Sequence, residues 1–216
     1  MADIKFCGLT RPVDAEYAVG LGARYVGVIF AGGHRHLTVS RAADVLAPVP
    51  RSVQRVGVFS DQSAEEIGEF AAKLSLSVAQ LHGAVDAGRF DRLRRSFDGE
   101  IWLVHRVEAS ELPRNAAAVA LPADGLLLDA HVPGVMGGSG RSFDWARLAP
   151  RLDTIRNEKR LILAGGLRPE NVARAIATIH PDVVDVSSGV ETAPGIKDHE
   201  RMTAFRDAVL ETSISS

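Results

Sequence analysis

Short aliphatic and β-branched runs recur along the chain. Each is followed by Gly, Ser, Asp or Pro and then by a stretch with helical spacing, the pattern of repeated βα units. Eight runs are present: Ile4–Cys7, Tyr25–Phe30, Gln54–Phe59, Ser77–Leu81, Ile101–Arg106, Gly125–Asp129, Arg160–Ala164 and Val183–Ser187. "YVGVIF", "GLLLD" and "LILAG" lack polar alternation, so these strands are expected to be covered on both faces, as parallel strands are.

The stretches between the runs carry helix signals. Ser63 with Glu66 three residues later forms a capping-box signature, and Ile67, Phe70, Ala71 and Leu74 then share one helical face. Pro169 suits a first helical turn, with Val172, Ala175, Ile176 and Ile179 as the buried stripe; Met202, Phe205 and Val209 form a similar stripe near the end. Packing is sufficient reason for all three stripes.

Eight units in 216 residues leave about 27 residues each, close to the lower limit for a closed (β/α)8 TIM barrel with short loops. The expected architecture is that barrel, an eight-stranded parallel α/β fold spanning residues 1–216 as one catalytic domain. An open doubly wound sheet is the alternative, but its dinucleotide fingerprint is missing. The glycine run "GGSGRSF" at 137–143 breaks at Phe143, and the first βα turn is "CGLTRP". Arg141 likewise spoils a nucleophile elbow, and no P-loop motif occurs.

Composition adds little beyond exclusions. With 46% hydrophobic and 24% charged residues and a formal net charge of -2, the chain has no charge bias toward nucleic acid or a membrane surface. A single Cys rules out an internal disulfide. Neither a charged-then-apolar leader nor a run of about 18 apolar residues is visible, so a soluble, cytoplasmic protein is expected.

In a barrel, chemistry gathers at the C-terminal ends of the strands. The residues there are Cys7, Arg35 in the second loop, Gln80 and His82, His105 or Arg106, Asp129, Gly165 and Gly166, and Ser187, Ser188 and Gly189. Small residues after strands seven and eight let backbone N–H groups approach an oxyanion, so "LAGGL" and "DVSSGV" suggest a phosphate cradle, although tight turns and helix caps use the same residues. Cys7 is a candidate base and Asp129 a candidate acid. A free thiol is more often a small buried hydrophobe, and an aspartate after "GLLL" could instead cap a helix or pair with a base. "HRH" at 34–36, with His82 and His131, invites a metal reading, but the spacing matches no recognised ligand set. Arg35 is better suited to gripping a planar carboxylate. Retro-aldol or epimerase chemistry would want a lysine, a second carboxylate or metal ligands, and the strand ends as read here offer no lysine.

These segments resemble the phosphoribosylanthranilate isomerase family over essentially the whole chain. The matching stretches are "IKFCGLT" (4–10), "VGVIF" (26–30), "RVGVF" (55–59), "QLHG" (80–83), "LLLDA" with "GGSGRSFDW" (126–145), "LAGGLRPENV" (163–172) and "VDVSSGVETAPGIKD" (184–198). Their order and spacing together are far more specific than any one of them.

The resemblance implies a (β/α)8 barrel that catalyses an Amadori rearrangement in tryptophan biosynthesis, converting N-(5-phosphoribosyl)anthranilate to 1-(o-carboxyphenylamino)-1-deoxyribulose 5-phosphate. It assigns Cys7 as general base and Asp129 as general acid. Arg35 would meet the anthranilate carboxylate, Gln80, His82 and Asp185 would bind substrate, and Gly138, Gly165, Gly166, Ser187, Ser188 and Gly189 would bind phosphate. Residues 137–140 would form a loop closing over the substrate. No metal or organic cofactor is implied, because the substrate nitrogen is itself the electron sink. The implied partner is a small phosphosugar, with the protein a monomer or homodimer. "AGGHRHL" and "VHRV" at 104–107 depart from the family pattern, and which of His105 and Arg106 faces the barrel is open.

Overall fold

A computed structural model describes residues 1–107, 121–129 and 145–212. Eight parallel strands close into a barrel in chain order: β1 (Asp3–Phe6), β2 (Tyr25–Ile29), β3 (Gln54–Phe59), β4 (Val78–Leu81), β5 (Glu100–Arg106), β6 (Gly125–Asp129), β7 (Arg160–Ala164) and β8 (Val183–Val186). The ring is sealed where β1 meets β8, with Lys5 opposite Asp185 and Phe6 opposite Val186. All eight expected runs are strands, three with identical bounds. No bound differs by more than one residue, and the loss of Cys7 and Ser187 from their strands places both in the loops at the barrel mouth.

Among the described residues, helices such as Pro12–Gly20, Val39–Leu46, Ala64–Leu74 and Pro169–Ile179 lie between successive strands. The helix Ala64–Leu74 starts with the expected reciprocal cap: the Glu66 N–H donates to Ser63 Oγ at 3.1 Å, and the Ser63 N–H donates to Glu66 Oε2 at 2.8 Å. In the helix Pro169–Ile179 the buried face carries Val172, Ala175, Ile176 and Ile179, and in His199–Glu211 it carries Met202, Phe205 and Val209. These faces pack on the outward side chains of the strands, such as Ile4, Phe6, Leu126, Leu128, Leu161 and Leu163.

Inward side chains form a second, smaller cluster: Tyr25, Val56, Val78, Trp102, Val104, Leu127, Ile162, Ala164 and Val183. Tyr25 and Trp102 meet across the barrel with ring centroids 5.0 Å apart. Strand side chains alternate, so residues two positions further along share the inward face. Gln80 thus follows Val78, Arg106 follows Val104, Asp129 follows Leu127, and Asp185 follows Val183. The filling changes from apolar to polar toward the C-terminal ends. His105 has the outward parity of Ile101 and Leu103, and its Nε2 is buried with no partner among the described residues.

After β8 the chain makes a single 3-10 turn at Ser188–Val190, followed by a small antiparallel hairpin of β9 (Glu191–Ala193) and β10 (Ile196–Lys197). Lys197 pairs opposite Glu191 in that hairpin. This element has no counterpart in the expected strand pattern.

Candidate active site

The mouth of the barrel is built on the β1–β8 seam. Cys7 follows β1, and its backbone N–H donates to the Val186 carbonyl at 2.9 Å, so the thiol is anchored to the last strand as well as the first. Room for the sulfur comes from β2, because a Cβ at Gly27 would stand 3.0 Å from Cys7 Sγ. Cys7 is 6% exposed. Burial pushes its thiol above the ordinary range and the Asp185 carboxylate adds to that, while Lys5 and Lys197 pull the other way.

Below the sulfur lies a pair that the sequence reading did not single out. Lys5, fully buried, donates from Nζ to Asp185 Oδ1 at 2.9 Å. Burial works against the ammonium, but the adjacent Asp185 carboxylate and the Cys7 sulfur outweigh it and hold the lysine charged. Asp185 therefore enters the site already committed on one oxygen.

Asp129 ends β6 on the inward face and keeps 23% of its side chain exposed. His82 Nε2 lies 3.8 Å from Asp129 Oδ2. Burial lowers the imidazole pKa of His82, with Arg106 and Lys5 adding to the effect and Asp129 opposing it, so His82 is neutral at neutral pH. The charge on Asp129 acts on Asp185, which also acts on Cys7. The acid and base candidates thus share one polar floor. Gln80 is buried in it, with Oε1 lacking a partner among the described residues.

Arg35 arrives from the second βα loop and passes over Gly8, where a Cβ would come within 2.6 Å of its Cδ. Its guanidinium is already forked onto a carboxylate within the protein: Nε donates to Glu191 Oε1 at 2.8 Å and Nη2 to Oε2 at 2.6 Å. A guanidinium has a second fork, and the Nη1–Nη2 edge lies outside this contact. Lys197 completes the cluster, donating from Nζ to Glu191 Oε1 at 2.8 Å, the Cys7 carbonyl at 2.6 Å and the Ser187 carbonyl at 3.0 Å.

Lys197 also corrects the expectation of strand ends without lysine. The hairpin after β8 folds back and inserts Lys197 between the ends of β1 and β8, a placement that linear spacing does not reveal. Glu191, Lys197 and Lys5 are the site residues that the sequence reading missed. For Glu191 and Lys197 the available signal was "GVETAPGIKD", which carries both; Lys5 has no such local signal.

The residues expected at the phosphate cradle fall at the ends of β7 and β8. Gly165 and Gly166 both have positive φ, 83° and 66°. Gly189 lies so close to the preceding loop that a Cβ there would overlap the Leu167 carbonyl oxygen, which makes glycine obligatory. Ser187 and Ser188 lead into the 3-10 turn. Gly138, His131 and the 137–140 loop lie outside the described residues. Among the described residues, no group of three or more His, Cys, Asp or Glu side chains is arranged as for a metal ion, and His34 and His36 gather no such set. No helix among them is long and apolar enough to cross a membrane.

Residues 4–208 match the family model described as N-(5'phosphoribosyl)anthranilate (PRA) isomerase. A protein of Acidithiobacillus ferrooxidans named N-(5'-phosphoribosyl)anthranilate isomerase is 46% identical over 206 residues, covering 95% of this chain and 96% of that protein. Among solved structures, generated monomers of the dimeric phosphoribosylanthranilate isomerase from Thermotoga maritima superpose with a TM-score of 0.81 at 32% identity, covering 98% of this chain and all of that one. A phosphoribosylanthranilate isomerase in complex with reduced 1-(o-carboxyphenylamino)-1-deoxyribulose 5-phosphate gives 0.80 at 31% identity, with the same coverage.

Proposed function

The chain belongs to the N-(5'-phosphoribosyl)anthranilate isomerase family and is an isomerase of tryptophan biosynthesis, and from that premise we propose how its own residues carry the reaction. Asp129 protonates the furanose ring oxygen, and the C1–O bond opens to a cationic imine. That cation acidifies the C2 proton, which the Cys7 thiolate removes. The resulting enolamine tautomerises to the ketone of 1-(o-carboxyphenylamino)-1-deoxyribulose 5-phosphate. The electron pair released at C2 is taken up by the substrate's nitrogen.

The observation that supports this reading is the common floor beneath the two proton carriers. Asp185 acts on Cys7 and is itself acted on by Asp129, from strand ends whose inward faces converge. His82, neutral and with Nε2 3.8 Å from Asp129 Oδ2, stands beside the acid and carries no charge of its own. Gln80 offers its buried amide to the sugar. Arg35 presents its free Nη1–Nη2 edge to the anthranilate carboxylate, while Glu191 fixes the other edge. Backbone groups around Gly165, Gly166, Ser187, Ser188 and Gly189 receive the phosphate. Residues 1–216 act as one catalytic domain in the cytoplasm, as a monomer or homodimer, with a phosphosugar as ligand.

The test is consumption of freshly prepared phosphoribosylanthranilate by the purified protein, followed as loss of anthranilate fluorescence. Steady turnover is expected in the parent, with Cys7→Ala and Asp129→Asn nearly inactive. Full activity in either variant overturns the assignment of that residue.

A further inference from the structure

A thiol makes a poor base until it is a thiolate, and at its ordinary pKa only a few per cent is ionised near neutrality. Burial of Cys7 reduces that fraction further. If Cys7 is the base, a cation within reach of the sulfur has to compensate. Four charged groups face Cys7: Lys5 from β1 itself, Asp185 from β8, Lys197 from β10 and Arg35 from the second loop. Arg35 and Lys197 are both tied to Glu191, and Lys197 also spends donors on the Cys7 and Ser187 carbonyls. Lys5 donates to Asp185 Oδ1 at 2.9 Å and also interacts with the Cys7 sulfur, and of the two lysines it acts more strongly on that sulfur.

We propose that Lys5 is a positioning residue for this reaction: its buried ammonium, held by Asp185 on the inward face one pleat below Cys7, stabilises the thiolate that abstracts the C2 proton. The proposal rests on the reading of Cys7 as the base. A purely structural role explains the pair poorly, because inward neighbours such as Tyr25, Trp102 and Val183 are apolar and a buried ion pair is commonly no more stabilising than its apolar replacement. Asp185 then has two opposing effects: it keeps the lysine charged and in place, and its own negative charge limits how far the thiol is acidified.

Cys7 is the only cysteine, so iodoacetamide labelling followed by mass spectrometry reads this one sulfur without reference to turnover. Labelling rates are measured from pH 6 to 10 in the parent, Lys5→Met and Lys5→Gln, with circular dichroism as the check of folding. In Lys5→Met the profile is expected to move alkaline, slowing labelling at pH 8 by about tenfold or more, since one unit of pKa is tenfold in thiolate below the titration. The kcat should fall in parallel, KM should change less than about threefold, and turnover should recover partly at pH 10, a rescue that a structural lesion would not give. Lys5→Gln loses the charge but keeps a polar side chain beside Asp185, so its labelling profile should move alkaline as well; this variant decides the matter if Lys5→Met does not fold. An unchanged labelling profile in a folded Lys5→Met or Lys5→Gln overturns the proposal. Full turnover by Cys7→Ala overturns the base assignment instead, and the labelling result is independent of it.

Discussion

Glu191 is the most heavily loaded carboxylate at the barrel mouth, and removing it tests the arrangement around Arg35. It accepts two hydrogen bonds from Arg35 and one from Lys197, all between 2.6 and 2.8 Å, with its side chain 5% exposed. Glu191→Ala leaves Lys197 buried without its counter-charge and frees the Arg35 fork. Breaking a buried pair by deleting one partner costs about 3–5 kcal/mol. At roughly 2–4 °C per kcal/mol for a chain of this size, the thermal midpoint should fall by about 10 °C. The KM for phosphoribosylanthranilate should rise as well, because the edge of Arg35 offered to substrate is no longer held. Burial alone would raise the Glu191 pKa, but the Arg35 bonds and the Lys197 charge outweigh it and hold the carboxyl below its usual range. Its contribution is therefore fully present above the unfolded glutamate value of about 4.3 and is lost as pH falls through the lower folded value. The gap in midpoint between the parent and Glu191→Gln, measured by circular dichroism, should accordingly be widest near neutrality and narrow below about pH 4. A Glu191→Ala midpoint within about 2 °C of the parent, with KM unchanged, would refute the reasoning.

Cys7→Ala and Asp129→Asn should each lower kcat by roughly 10²- to 10⁴-fold, with near-parental circular dichroism spectra; a loss under about tenfold counts against the acid–base roles. Burial, reinforced by Asp185, holds the Cys7 thiol above its ordinary value of 9.0, so kcat/KM, which reports the free enzyme, should still be climbing at pH 8 to 9. A plateau reached by pH 7.5 contradicts that sign. Gly189→Ala forces a methyl group onto the Leu167 carbonyl, and the resulting shift of the turn should cost about 1–3 kcal/mol of stability and weaken competitive inhibition by inorganic phosphate. Unaltered inhibition would place the phosphate elsewhere.

The barrel was legible because its strands announce themselves: Gln54–Phe59, Gly125–Asp129 and Arg160–Ala164 are apolar runs bounded by turn residues, and the observed strands coincide with them. The placement of Cys7 and Asp129 at the barrel mouth was legible because both end apolar strand runs. The orientation of His105 and Arg106 was not. "IWLVHR" is apolar on both faces, and only the burial of Trp102 and Val104 inside the barrel sets the parity that turns Arg106 inward. Arg35 was expected to meet a carboxylate of the substrate, and the carboxylate that the fold itself sets against it, Glu191, lies 156 residues away. Lys5, in the middle of a strand, gives no local sign of its partner, because the pairing depends on which strand closes the ring.

The seam between β1 and β8 has a consequence for biosynthesis of the protein. Lys5 meets Asp185 across 180 positions, and Lys197 meets the Cys7 carbonyl across 190. Contacts so distant along the chain form late, after the loop entropy between them has been overcome. A nascent polypeptide halted before residue 197 would carry its sulfur nucleophile from the first strand while lacking the clasp that secures it, so competence waits on the emergence of that residue.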